Sequence, residues 1–427
     1  MNGHPLDLVG IRLLEPSCDC FTEDAALHVR DGRILYAGSR AEAPPSAGAE
    51  TIELEGAYVI PGLVDMHVHI DESMIPNTLG AFTRFGVTCV RDVGSHSDRT
   101  AALAAETRAG QRLGPRIFSF GELVDGSEPF WPEISIVPDD EEQLQAHVKR
   151  VAELGLAGVK FYFNLPFELL AAGIDQAGKH GLLTAAHVGG VVSALEAVSH
   201  GVGSIEHVTT LTRDLVPADL WREKGSFLDQ FLLWKDEIDP ASDRSRRVID
   251  AFRRSGTLMV PTLAVMEAIA YGDSPAIVAN PAIDFLDGDI AETWGTMQYT
   301  RSWMPEDYSM AHEAFEVMKA FTFSYWAAGA SMAVGSDTPN PYVVPGESLA
   351  RECELLVDCG IPAPRVLELA CKQPASYFLE EGEWGTLEPG KAADFVVLKN
   401  DPLGDIGALR EIVFTVRNGV RADRFGG

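Results

Sequence analysis

The sequence predicts an α/β protein, a (β/α)8 barrel joined to a small β-sandwich domain formed by both chain termini. Three observations carry this. Between about 60 and 380, eight apolar runs of four to eight residues alternate with longer helical patterns. Polar, chemistry-bearing residues recur at the ends of runs one, four, five, six and eight. Strands so far apart in order converge at the mouth of a closed barrel, whereas in an open doubly wound sheet they generally do not. The two ends of the chain have a different texture, of short strands and turns.

Residues 5–58 open with Leu6, Val9 and Ile11 and continue through Asp31-Gly32-Arg33-Ile34-Leu35-Tyr36, a hairpin with an Asp-Gly turn. Strand-like segments at 391–398 and 412–420 resemble them. Neither end buries a useful core alone, so 1–58 and 382–427 are expected to pair into one composite domain, leaving 59–381 as the barrel. The barrel runs are 63–68, 86–92, 116–119, 157–162, 182–187, 202–207, 257–261 and 332–337. Amphipathic candidates lie between them at 141–154, 166–180, 190–200, 243–255 and 308–329. Two connections are long. Residues 208–242 carry Trp221, Phe227, Phe231 and Trp234, and 263–307 carry Trp294, Met297, Tyr299, Trp303 and Met304. Each follows a barrel strand, so each is expected over the mouth, either as helices packed for stability or as the lid of a partly apolar pocket.

Composition excludes some partners. The chain of 427 residues carries 63 Asp and Glu against 34 Lys and Arg, a formal net charge of −29. That lacks the basic footprint that nucleic-acid backbones and anionic membranes require. No apolar run approaches the length of a membrane span, and Met1 to Pro5 show no signal-peptide pattern. Cys18 and Cys20 are too close for an ordinary bridge, and Cys89 and Cys371 sit where buried free thiols are expected. The expectation is a soluble cytoplasmic protein acting on a small molecule, with self-association left open.

The chemistry gathers at strand ends. In Pro61-Gly62-Leu63-Val64-Asp65-Met66-His67-Val68-His69, alternation along a strand turns His67 and His69 to the same face. His187, His207 and Asp337 end later runs. Four imidazoles and a carboxylate suit zinc or a similar divalent ion and exceed what one catalytic ion with an open position uses, so the count favours two metals. His4, His28, His147, His180 and His200 read as peripheral. Lys160, inside Gly158-Val159-Lys160-Phe161-Tyr162, is costly to bury as an ammonium and is repelled by neighbouring cations. Reaction with CO2 to give an anionic carbamate answers both objections; the alternative is a neutral or Asp-paired lysine beside a single metal. Tyr162 falls on the same face as Lys160 and points towards the mouth, where it can reach a substrate carbonyl or carboxylate. His96 follows strand two, and Trp131, with Glu128 and Phe130, follows strand three; these are the other candidate substrate contacts. Arg91 is expected to pair within the scaffold, with Asp92 or another carboxylate.

These phrases resemble the amidohydrolase superfamily, nearly end to end, and within it the imidazolonepropionase-like and prolidase-like branch. The resemblance implies that His67 and His69 bind one Zn2+ with Asp337. His187 and His207 bind a second, and carboxylated Lys160 and a hydroxide are shared between them. Asp337 then acts as general acid and base, with Lys160 and His207 completing the catalytic set. The implied reaction is hydrolysis of a peptide or N-acyl amino acid bond, as in a dipeptidase. Ester or lactone hydrolysis is the nearest alternative. A mononuclear deaminase or cyclic amidohydrolase fits less well, since Lys160 is retained and His187 is followed by Val188-Gly189-Gly190. A non-enzymatic barrel would have lost ligands.

Overall fold

The computed structural model describes residues 5–46, 48–70, 77–221, 225–286 and 289–422. Met1 to His4 lie outside them, and with them the stretch read for a signal peptide and His4. Strands from both ends of the chain build one eight-stranded sheet. Its order runs Val420–Arg421, Ile412–Arg417, Phe395–Leu398, Tyr58–Pro61, Leu6–Leu14, Phe21–Arg30 and Arg33–Ser39, and Glu50–Glu53 pairs beside Leu6–Leu14. The turn between the second and third strands of the chain has Asp31 and Gly32 both at positive φ, 49° and 75°, as a two-residue hairpin turn needs. Alternation buries Leu8, Leu27, Val29, Val59, Phe395 and Val397 in a core that belongs to this sheet.

Tyr58–Pro61 leads directly into the barrel. Gly62 makes that passage because a Cβ there would stand 2.0 Å from Thr88 Oγ1. The first three barrel strands, Leu63–Val68, Val87–Asp92 and Arg116–Ser119, pair in parallel. Gly158–Phe161, Leu183–Ala186, Ser204–Glu206 and Leu258–Val260 form a second parallel set. Ala157 N–H donates to Ser119 O (2.8 Å) across the seam between the two sets. The eighth run is irregular, bridging Met259 at Met332, with Thr338 just past its end bridging Val68, yet it closes the ring. Ala333 N–H donates to Met259 O (3.0 Å), Met66 N–H to Val334 O (2.9 Å) and Asp337 N–H to His67 O (2.8 Å). The order is therefore that of a (β/α)8 barrel. A short strand absent from the sequence reading, Leu123–Val124, pairs with Gly158–Phe161 on one side and Ser135–Ile136 on the other.

The helices fall where periodicity put them: Glu141–Glu153, Phe167–Lys179, Ala194–Ser199, Asp243–Ser255 and Pro305–Ala327. Capping explains several starts, with Asp140 accepting from Gln143 N–H and Ser193 forming a reciprocal capping box with Glu196. Among the described residues no helix is long and apolar enough to cross a membrane. Cys89 and Cys371 are buried free thiols.

The two long connections pack on each other. Helix Phe227–Asp236 lies against Pro305–Ala327. Trp234 is fully buried, its indole N–H donating to Thr212 Oγ1 (2.8 Å) and its ring set edge-on to Phe321 at 5.7 Å. Phe231 meets Trp303 at 5.9 Å and Phe227 meets Tyr299 at 4.7 Å. The inner half of the aromatic stripe is thus core. Trp234→Ala is expected to cost about 3–5 kcal/mol, as for other buried aromatic truncations; a denaturant midpoint unchanged from the parent would contradict this packing role.

Candidate metal centre

The site is built where the backbone leaves regular strand geometry. Simple alternation would send Glu206 and His207 to opposite faces, but His207 takes φ +66° and both side chains enter the barrel. Asp337 (φ +63°) and Thr262 (φ +51°) are turned in the same way at the ends of their runs. Such conformations cost on the order of 1–3 kcal/mol each for residues other than glycine, and they collect at working sites. Neighbouring backbone is shaped to match. A Cβ on Gly335 would stand 2.8 Å from the His67 nitrogen, and one on Gly94 2.8 Å from His69 Nδ1.

His67, His207 and Asp337, all buried, converge so that one ligand atom from each lies within 4.8 Å of the others. His67 Nδ1–H donates to Glu206 Oε2 (2.8 Å), and His69 Nδ1–H donates to the Gly94 carbonyl (2.9 Å). Both acceptors lack a proton, so the two Nε2 atoms face inward, each 3.3 Å from Asp337 Oδ1. His207 Nδ1 pairs with Thr262 Oγ1 (2.7 Å) and stands 3.8 Å from Asp337 Oδ2. The His187 ring lies 4.4 Å from that of His207, outside the tightest cluster but beside it.

Behind these groups is a buried ionic network. Arg91 pairs with both oxygens of Glu206 (2.7 and 2.8 Å) and donates to the Met66 carbonyl, Ser204 Oγ and Tyr377 OH. Asp65 accepts from the backbone N–H of His67 and Ser336 and from Ser336 Oγ, which ties the first run to the eighth. Burial works to raise Glu206, but the Arg91 charge, with help from Lys160, holds it well below the ordinary carboxylate range. Burial likewise opposes ionisation of Asp337, and its interactions with the adjoining His67 and His207 rings outweigh that and hold it well below the ordinary carboxylate range. Burial, with the neighbouring imidazole and lysine, keeps His187 neutral, and burial together with His67 and Lys160 pushes His207 down to about 3. Burial also lowers His69, but its hydrogen bond to Asp337 and that carboxylate's charge reverse the sign.

Lys160 Nζ is completely buried and makes no hydrogen bond among the described residues, and burial pushes its pKa down to about 8 despite the pull of Glu206. Imidazoles fixed through Nδ1, a carboxylate between them and a buried amine form a donor set that fits divalent metal.

The remaining candidates fall at the rim or on the scaffold. Trp131 indole N–H donates to Tyr162 OH (3.2 Å), and the Tyr162 ring stands edge-on to His187 at 5.0 Å. His96 is exposed and stands at the N-cap position of the helix Ser97–Arg108 without a side-chain capping bond. Phe130 is exposed, and the Glu128 carbonyl accepts from Asn164 Nδ2 (2.5 Å). Arg91 pairs within the scaffold as expected, with Glu206 and not with Asp92, whose oxygens are taken by Ser95, Ser119 and the Ile70 N–H. His28 lies in strand Phe21–Arg30 and His147 in helix Glu141–Glu153, both buried. Glu206 and Thr262 had no role in the sequence reading. The signal for Glu206 was a charged residue inside an apolar run, next to a histidine. Thr262 left none.

A parallel barrel with imidazoles and a carboxylate converging at the C-terminal ends of its strands defines a metal-dependent hydrolase. The amidohydrolase family model matches residues 58–264 and 324–422, and the chain belongs to that family. An imidazolonepropionase of Methylobacterium nodulans is 54% identical over 48 residues, which is 11% of this chain and 12% of that protein. An uncharacterised protein of Mycobacterium tuberculosis is 28% identical over 235 residues, 52% of this chain and 61% of that one. The chain thus spans less than two thirds of the length of either relative. The crystal structure of a Xaa-Pro dipeptidase with bound methionine in its active site superposes with a TM-score of 0.69 at 19% identity, covering 98% of this chain and 99% of that one. The amidohydrolase fold of this chain is thus shared with that structure over nearly its whole length.

Proposed function

We propose that this enzyme hydrolyses an amide bond, of peptide or N-acyl amino acid type, with two divalent ions, Zn2+ by preference of the donor set. The observation that carries the reading is the convergence of His67, His207 and Asp337 beside a buried lysine amine that makes no hydrogen bond among the described residues. His67, His69 and Asp337 would hold one ion and His187 and His207 the other. Lys160, its neutral amine adding to CO2 with release of a proton to solvent, would be shared as a carbamate. The 48-residue likeness to an imidazolonepropionase and the shared fold with the dipeptidase support the reading.

When bound, the ions supply an acidified water and polarise the scissile carbonyl. The chain's own residues do the rest. Asp337 takes the proton of the attacking water and returns it to the leaving nitrogen. Glu206 and the Gly94 carbonyl fix His67 and His69 as Nδ1–H tautomers, and Thr262 orients His207. Tyr162, whose oxygen already accepts from Trp131, keeps its own proton to donate to the substrate carbonyl. Trp131 and His96 would line the approach. The same centre would open an ester or lactone. The retained Lys160 argues against a single-metal deaminase.

The test is a hydrolysis screen over dipeptides, N-acyl amino acids, aryl esters and lactones, before and after chelation. Turnover that disappears with the metal and returns with added Zn2+ is expected. Turnover indifferent to chelation would refute the reading.

A further inference from the structure

Threonine is among the residues that ordinarily start a helix, its hydroxyl accepting from the backbone N–H two or three residues on. Thr262 stands at that position before the helix Leu263–Ala270, yet its side chain makes no capping bond. Its backbone is left-handed (φ +51°, ψ +50°), and its hydroxyl is engaged with His207 Nδ1 at 2.7 Å. The cap comes from elsewhere in the chain. Glu352, completely buried in the helix Glu347–Asp358, accepts from the Ala264 N–H through Oε2 at 2.6 Å. Ala264 is the second residue of its helix, so this is a donor that the threonine would otherwise take.

Glu352 is anchored from its own side. Its neighbour Arg351 forks onto both oxygens of Glu267 (2.8 and 2.7 Å), one turn further along the same helix. Two consecutive residues thus grip Leu263–Ala270 at its start and at its middle. The other side of Thr262 is set by backbone: His207 N–H donates to Val260 O (2.8 Å) and Val208 N–H to Pro261 O (3.1 Å). Those bonds bring Thr262 alongside His207 whatever its side chain does. What they leave open is which partner the hydroxyl takes, the imidazole or the N–H at the head of its own helix. Threonine side chains compete readily for nearby backbone groups. Burial raises Glu352 to about 8, against the pull of the Ala264 and Leu263 N–H groups. A carboxyl in so dry a place is costly, and one hydrogen bond to a short helix recovers little of that cost.

We infer that Glu352 is a positioning residue of the metal centre: by capping the helix in place of Thr262, it leaves the threonine hydroxyl to His207 Nδ1 and His207 Nε2 to the ion. This rests on the metal-hydrolase reading and extends it to a residue that acts only through Thr262. Without Glu352 the Ala264 N–H is left bare in the core. That is costly enough to draw the Thr262 hydroxyl back to its ordinary place and away from the imidazole.

Zn2+ affinity of the full chain, measured by competition with a chromophoric chelator, tests it, with denaturant unfolding in excess chelator as a separate readout. Glu352→Leu is expected to bind Zn2+ about tenfold or more weakly. Glu352→Gln keeps a carbonyl oxygen at the Ala264 N–H and should stay within about threefold of the parent. Thr262→Val should lose at least as much as Glu352→Leu, and the double variant no more than Thr262→Val alone, because one residue works through the other. Glu352→Asp, which draws the oxygen back by one methylene, should show the same loss in milder form and decides the question if the leucine variant does not fold. Parental affinity in the leucine and aspartate variants, whatever their stability, would reduce Glu352 to a helix cap and overturn the inference. Losses that add in the double variant, or a glutamine variant as weak as the leucine one, would overturn it as well. All three leave the hydrolase reading standing. A parent chain that binds no Zn2+ would remove that reading and the inference with it.

Discussion

Lys160→Met is expected to give a folded protein that binds less divalent metal and turns over at least about 10³-fold more slowly, the size of effect seen when a preorganised charge is removed from an active site. The parent side chain is fully buried, its amine makes no hydrogen bond, and no charge partner lies within ion-pair distance among the described residues. In the metal-free protein this amine is a liability. Methionine of similar length fills the space without it, so the metal-free variant should be more stable than the metal-free parent by about 1–3 kcal/mol. A lysine kept only for packing would show no such gain, and a lysine acting as a base would lose rate without losing metal.

The pH dependence has a definite direction. The folded amine titrates near 8, below the ~10.4 of an unfolded lysine. Between those values the unfolded chain binds a proton that the folded metal-free chain does not, so parent stability rises with pH through that window. Below it both states are protonated and the penalty is constant. The advantage of Lys160→Met should therefore be widest below about pH 8 and shrink as pH climbs towards ~10.4. Equilibrium unfolding of both proteins in chelator across this range, with metal content of the loaded forms, is the measurement. A stability difference that does not vary with pH, or full metal retention by the variant, would refute the assignment.

Much of this was legible in the chain. The barrel could be read because each strand is a short apolar run bounded by turn residues, and the helices because their periodicity and caps agree. The cluster could be read because polar side chains at the ends of buried strands have few structural uses. What stayed hidden was hidden for a physical reason. Period-two alternation presumes extended backbone, and His207, Thr262 and Asp337 abandon it at positive φ. Alternation would therefore put Glu206 on the face opposite His207, when both point inward. The irregular eighth run hides its register for the same reason. Arg91 could be assigned to a buried pair but not to its partner, because the partner lies 115 residues away and only barrel closure brings it near.

That pair yields the second large effect. Arg91→Met should cost about 3–5 kcal/mol of stability, because it leaves the Glu206 carboxylate buried and uncompensated. Glu206→Gln in the Arg91→Met background removes that stranded charge and should recover most of the loss. Recovery falls short to the extent that Arg91 also rests on the rings of Phe120 and Tyr377, at 5.5 and 5.3 Å. Metal affinity should not recover with stability. Glu206 is the acceptor that holds His67 Nδ1–H, and loss of such a partner costs metal affinity about 10–100-fold. Glu206→Gln alone and the double variant should therefore both bind metal weakly, one destabilised and the other nearly restored. Acid titration adds a check with a fixed sign. The pair holds Glu206 well below its ordinary value, so its stabilisation is present above ~4.3 and is lost as pH falls through the folded value. Without Arg91 that loss should begin at higher pH. If the double variant regains parental metal affinity along with its stability, the network serves only the barrel wall, and His67 needs no carboxylate behind it.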